Sequence, residues 1–217
     1  KRVESVLYLT LYGEDMAGAV VVLNPLTGAV AAIASYPTYN LNSFARGISS
    51  EEYSELLAMA NKPLNNRATQ GLYPPGSSFK PFTAALALQE GSMSADDRDV
   101  LAVQIEEDKW TPSEFGTWTW ASITRAHMNH RTEPLNMHNA MINSDNIYFA
   151  YTALKTGRDA FLAFAERLGM TTSIPFDLAV APPQVYNVDE AAGLEAFNLM
   201  LLADSGYGQG EMLVTPL

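Results

Sequence analysis

Ser77 and Lys80 stand three residues apart in the stretch LYPPGSSFKPF, Leu72 to Phe82. On a helix, residues at that spacing share one face, so the hydroxyl and the amine would meet. A serine hydroxyl is a poor nucleophile until a neighbouring base takes its proton. A lysine can be that base when burial or nearby positive charge lowers its pKa from ~10.4 toward neutrality. A helix N-terminus at the same place adds partial positive charge and unpartnered N–H groups, which suit the oxyanion of an acyl-transfer intermediate. With fifteen serines and five lysines in the chain, a bare Ser-x-x-Lys arises by chance in roughly one such chain in three. The specificity lies in the surroundings: Pro74 and Pro75 stiffen the approach, Gly76 permits a sharp change of direction, and Pro81 falls in the first turn, where its missing N–H has no partner to lose.

A second polar cluster, Ser144-Asp145-Asn146 in MINSDNIYF, holds the one Ser-x-Asn of the sequence. Its hydroxyl and amide suit a proton shuttle and a hydrogen-bonding clamp for a peptide-like substrate. The same residues also read as a polar cluster that starts a helix or forms a loop. His127, His130 and His138 are not joined by carboxylates or cysteines at ligand spacing, so no metal site is expected. No Gly-rich phosphate loop is present, and no cofactor is implied. Trp118 and Trp120 at alternate positions could line a sugar or peptide groove, or be buried in a satellite core. The acidic run IEEDK, residues 105–109, reads as a solvated face.

The net charge of −11 argues against a nucleic-acid or anionic-membrane surface, since both need clustered Lys and Arg. The absence of cysteine excludes a disulfide framework, thiolate ligands and a Cys nucleophile. No apolar run approaches the ~20 residues of a membrane span, and no signal peptide is visible.

The elements that must position these groups can be read in outline. Val3–Leu11 is rich in β-branched and aromatic residues and is predicted as a strand. Val20–Leu23 and Ala29–Ala34, split by Asn24-Pro25-Leu26-Thr27-Gly28, predict a hairpin. Near-continuous apolarity in both arms suggests a sheet covered on both faces. A short helix is expected at about Ser50–Ala60, within an otherwise irregular stretch from Tyr36 to Gln70. A helix is expected from Ser77 to Glu90, ended by Gly91. Asn136–Thr156 and Arg158–Leu168 read as two helices parted at Gly157. Ser92–Leu135 carries all three tryptophans without a clean period and resists assignment. No linker marks a second domain. Thr215-Pro216 has the form of a helix N-terminus with one residue after it, which suggests a chain cut before further elements.

Together these stretches resemble the transpeptidase domain of penicillin-binding proteins, most closely of the class B kind. GAVVVLNPLTGAVAAIASYPTYNLN (Gly18 to Asn42) is similar to that family's paired strands and the loop after them. NKPLNNRATQGLYPPGSSFKP resembles the approach to its nucleophile, NSDNIYF its second motif, and GYGQGEMLVTPL the stretch preceding its third. The likeness runs from about Val3 to Leu217 and skips Ser92–Leu135. It implies an α+β domain spanning residues 1–217: an antiparallel sheet flanked by helices, incomplete before its C-terminal strands. Ser77 would attack the carbonyl between two terminal D-alanines of a peptidoglycan stem peptide, and its N–H would supply half of the oxyanion hole. Lys80 would take the proton, Ser144 would relay one to the departing D-alanine, and Asn146 would hold the substrate's amide side. β-Lactams would mimic the dipeptide. The protein would face the outside of the bacterial cell membrane on an N-terminal anchor absent from this sequence, and could join a cell-wall synthesis complex. A β-lactamase, or a domain that binds β-lactams without turnover, would share the same motifs. The family's third motif, Lys-Thr/Ser-Gly, is spelled by Lys155-Thr156-Gly157. That segment reads as the end of a helix, so the motif is expected beyond Leu217. The family also places a helix between the segments LYLTL and AGAVVV, which here are separated only by YGEDM.

Overall fold

The computed structural model describes residues 1–13, 16–98, 105–106, 108–125, 135–187, 193 and 197–217. The chain divides into two compact units. The first comprises Lys1–Tyr73, Ser173–Pro182 and Val214–Leu217; the second comprises Pro74–Thr172 and Pro183–Leu213. Both are assembled from discontinuous segments, which is why no linker composition marks a boundary. Among the described residues no helix is long and apolar enough to cross a membrane.

The first unit opens with α1, Arg2–Leu11, where a strand was expected. Val3, Leu7 and Leu11 are half-buried and the other residues of α1 are exposed, the i, i+4, i+8 face of a helix. Leu7 and Leu11 come within 3.8 and 3.1 Å of the space a Cβ on Gly18 would fill. Packing on the hairpin thus overrides the β-propensity of the valines and tyrosines. The missing helix ahead of the hairpin is also accounted for: it is the very segment read as a strand. The hairpin forms as expected from β1, Gly18–Leu23, and β2, Val30–Tyr36, in antiparallel register. The Asn24 side chain accepts from Leu26 N (2.9 Å), and Gly28 closes the turn at φ +71°. The expectation of a sheet covered on both faces is not met: of its described residues only Ala34 is fully buried. Two short helices follow, α2 (Leu41–Ala45) and α3 (Ser50–Ala58). Their caps are Asn40 and Ser49, whose side chains accept from Asn42 N (3.1 Å) and Glu52 N (3.1 Å).

The second unit is built around two helices. A 3₁₀ turn, Gly76–Phe79, leads into α4, Lys80–Glu90, which ends at Gly91 in the left-handed conformation (φ +65°). Its buried residues Lys80, Thr83, Ala84, Leu86 and Ala87 form one stripe, with a lysine on the core side. α6, Asn146–Thr156, is buried over most of its surface, as a helix at the centre of a core must be. Around these two lie α5 (Met137–Ile142), α7 (Arg158–Arg167) and α8 (Leu199–Gly206). The single helix expected over Asn136–Thr156 is broken at residues 143–145, where Ser144 takes φ +53° and Asp145 caps a new helix.

The segment that resisted assignment contains a three-stranded antiparallel sheet: β3 (Ile105–Glu106), β4 (Lys109–Trp110) and β5 (Ile123–Thr124). Trp110, 1% exposed, anchors it through Tyr151 of α6 (ring centroids 5.9 Å). Asp108 is buried in the turn between β3 and β4, which corrects the reading of the whole acidic run as a solvated face. Trp118 and Trp120 are half-buried and meet edge to face at 5.1 Å.

Candidate active site

The local sequence explains how the serine is held. Pro74 and Pro75 lead into Gly76, which adopts φ +58° and donates its N–H to Gly208 O (2.8 Å). Gly208 itself lies at φ +75°, and a Cβ there would fall 2.8 Å from the Gly76 carbonyl carbon and 2.9 Å from its nitrogen. Two backbones therefore touch at a pair of glycines beside Ser77. Ser77 follows in the 3₁₀ turn, three residues before α4 begins, and its side chain is exposed. As one of the first residues of that turn, its N–H has no acceptor within the turn.

Lys80 is 1% exposed, and its Nζ gathers all the predicted site residues. It lies 3.1 Å from Ser77 Oγ, 2.9 Å from Ser144 Oγ, 2.6 Å from Ser144 O and 2.8 Å from Asn146 Oδ1. Ser144 Oγ in turn is 2.9 Å from Ser77 Oγ. The amide of Asn146 is oriented by its Nδ2, which donates to Thr124 O (3.2 Å) at the end of β5. The two acceptor-only oxygens, Ser144 O and Asn146 Oδ1, each require an N–H from Lys80. A neutral amine has two N–H groups and one lone pair, so the lone pair is left pointing at the two hydroxyls, as a base for Ser77 requires. Burial pushes the Lys80 amine down to about 8 from its ordinary 10.5, against the opposing pull of the Asp145 carboxylate.

The turn that carries Ser144 and Asn146 owes its shape to Asp145, which is fully buried. Its Oδ1 accepts from Tyr148 N (2.8 Å) as the cap of α6, and its Oδ2 takes the Nε of Arg125 at 2.7 Å. Asp145 N donates back to Ala140 O (2.9 Å), tying the turn to α5. The helix-starting reading of this cluster therefore holds at Asp145, which builds the helix end, while its neighbours face the amine. Lys155 sits in the last turn of α6, with its Nζ 5.9 Å from the centre of the Tyr151 ring, and Gly157 ends the helix. This agrees with reading Lys155-Thr156-Gly157 as a helix end. His138 lies on α5, while His127 and His130 fall outside the described residues. Among the described residues no cluster of His, Asp and Glu could hold a metal.

Two features went unread in the sequence. Arg125 and Thr124 come from the segment without a defensible likeness. Gly206 and Gly208 were seen only as part of a motif. A Cβ on Gly206 would lie 2.7 Å from Ala153 Cβ, so α8 can approach α6 only without a side chain there.

The chain matches the penicillin binding protein transpeptidase domain over residues 18–217. It is 34% identical over 211 residues to penicillin-binding protein 3 of Bacillus subtilis, covering 96% of this chain and 29% of that protein. It is 56% identical over 73 residues to the peptidoglycan D,D-transpeptidase MrdA of Escherichia coli, covering 34% of this chain and 12% of that one. It superposes with a TM-score of 0.75 and 28% identity on penicillin-binding protein A of M. tuberculosis, solved as a penicillin G acyl-enzyme complex, over 92% of this chain and 43% of that one. The chain thus spans less than a third of the length of these two curated relatives and under half of the solved one. With the serine–lysine pair, the capped second motif and an antiparallel hairpin alongside helices in place, the chain belongs to the penicillin-binding protein transpeptidase domain family.

Proposed function

We propose that the chain carries the acylation site of a D,D-transpeptidase that cross-links peptidoglycan stem peptides and is covalently trapped by β-lactams. The observation that carries this reading is the amine of Lys80, almost fully buried and 3.1 Å from the exposed Ser77 hydroxyl. Ser77 Oγ attacks the carbonyl carbon of the D-Ala–D-Ala amide while its proton passes to Lys80 Nζ. The oxyanion that forms is held by the Ser77 N–H. Ser144 Oγ, in contact with both Ser77 Oγ and Lys80 Nζ, relays a proton to the amide nitrogen as the C–N bond breaks and D-alanine leaves. Asn146 orients the bound peptide and keeps the amine in place. A second peptide's amine then attacks the ester carbon, the ester C–O bond breaks, and Ser77 regains its proton. In a β-lactam the broken C–N bond stays tethered, so the ester persists. The substrate reading draws support from the relatives named for D,D-transpeptidation and places the protein at the outer face of the cell membrane.

The test is intact-mass measurement of the full-length protein after exposure to a penicillin. One adduct is expected, lost in Ser77→Ala. An adduct that survives that substitution refutes the assignment of Ser77, and no adduct in the unaltered protein refutes the function. Rapid release of hydrolysed antibiotic would identify a β-lactamase instead.

A further inference from the structure

Among the described residues, the segment between α4 and α5 reaches the site at the end of β5. β5 ends at Thr124, whose carbonyl holds Asn146 Nδ2, and the next residue, Arg125, takes Asp145 Oδ2 at 2.7 Å. The Arg125 side chain is 8% exposed, and its backbone N–H donates to Asp108 O (3.0 Å) in the buried turn between β3 and β4. Asp145 lies between Ser144 and Asn146, which together supply three of the four oxygens around Lys80 Nζ. A buried carboxylate there without its cation would do two things. With the guanidinium gone, more of its attraction would fall on the Lys80 ammonium, on which it already acts, and the turn would be drawn with it. The carboxylate would also stabilise that ammonium and so withhold the base.

We propose that Arg125 is a positioning residue for the acylation step: it anchors Asp145 to the small sheet, fixes the Ser144–Asn146 turn around the amine, and keeps the Asp145 charge from holding Lys80 protonated. The inference rests on the function proposed above. Other charged groups are accounted for on each element packed near Lys80. Glu90 and Lys155 stand at the far ends of α4 and α6, roughly 15 Å along each helix. His138 is on α5, Arg158, Asp159, Glu166 and Arg167 are on α7, Asp204 is on α8, and Glu106, Asp108 and Lys109 are on or between β3 and β4. His127, His130, Arg131 and Glu133 lie outside the described residues. Among the described residues, the charge whose pull on the Lys80 amine is resolved is Asp145.

The experiment measures the second-order rate of acylation by a fluorescent penicillin, from pH 6 to 10, in the full-length protein and its variants. Arg125→Met is expected to slow acylation at pH 7 at least tenfold and to move the midpoint of the pH profile up by about one unit. Arg125→Lys keeps the charge and should restore the midpoint, though not the whole rate, since it lacks the guanidinium geometry. Asp145→Asn retains a capping side chain and removes the charge, so its midpoint should move down. These opposite signs are what a merely structural role would not produce. A midpoint in Arg125→Met equal to the unaltered one overturns the proposal whatever the rate, as does an upward shift in Asp145→Asn. Should Arg125→Met lack the native circular dichroism spectrum, Asp145→Asn and Arg125→Lys decide: a downward and a null shift support the proposal, any other pair overturns it. A Ser77→Ala control run alongside separates this from failure of the function itself, which would show as labelling independent of Ser77.

Discussion

Acylation should follow the titration of one buried amine. Lys80 sits at about 8 in the folded protein against an ordinary 10.5. At pH 7 about 9% of a group with pKa 8 is neutral, against ~0.03% of a group at 10.5, so burial raises the competent fraction roughly 300-fold. The rate constant for acylation by a penicillin, measured by stopped-flow from pH 5.5 to 10, should therefore rise about tenfold per pH unit below 7 and level off above 8.5. The same shift appears in stability. Below pH 8 the amine is charged in both the folded and unfolded states, and its burial costs the fold about 3 kcal/mol. Between 8 and 10.5 the unfolded chain binds the proton and the folded one does not, so stability rises with pH across that window. Urea unfolding, compared with Lys80→Met to remove the contribution of other groups, should show this rise in the unaltered protein alone. An acylation rate that is flat from pH 6 to 9 would refute the reasoning, because it would mean that the base is not an amine with a shifted pKa.

Ser144→Ala and Asn146→Ala should each slow acylation by about 10²-fold or more, the range of a positioned proton-transfer group; unchanged kinetics would reduce the cluster to a helix start. Lys155→Ala should leave the acylation rate within about twofold, since its amine lies over Tyr151 at the end of α6, and a collapse of labelling would show that this lysine belongs to the site. Gly208→Ala meets both a left-handed backbone and the Gly76 main chain, so it should destabilise the fold by about 1–3 kcal/mol and slow acylation by disturbing the Ser77 N–H. A thermal melt and the same labelling assay check both, and a variant of full stability and rate would contradict the close approach.

The candidate site was more legible in the sequence than the scaffold. Ser77, Lys80, Ser144 and Asn146 are short polar patterns in unusual company, and the structure brings all four within hydrogen-bond reach around one nitrogen. The hairpin was legible because its turn residues carry local signals. α1 was misread because its valines and tyrosines favour strands, while what makes it a helix is its packing on Gly18 of β1, a contact that local propensity does not register. The break at Ser144 was missed because one left-handed residue interrupts an otherwise helical pattern. Arg125 could not be found at all: its importance comes from a partner twenty residues away, a separation that carries no periodic signature. The tryptophan-rich segment hid a sheet with two-residue strands, too short for alternation to show.

The supports of Ser77 and Lys80 come from distant parts of the chain, and this has a consequence for biosynthesis. Thr83 of α4 bonds to Gly206 O from 123 residues away, and Lys80 meets Ser144 across 64. At 5–20 residues per second, α4 waits about 6–25 s on the ribosome before the glycines that seat Gly76 are even made. Until Ser144 and Asn146 are made and docked, the lysine lacks three of its four oxygens and keeps its ordinary basicity, so the nascent chain holds an inert serine beside a solvated ammonium. Reactivity toward penicillins should consequently switch on late and in one step, when the Gly206–Gly208 segment docks, which makes acylation itself a timer for completion of folding.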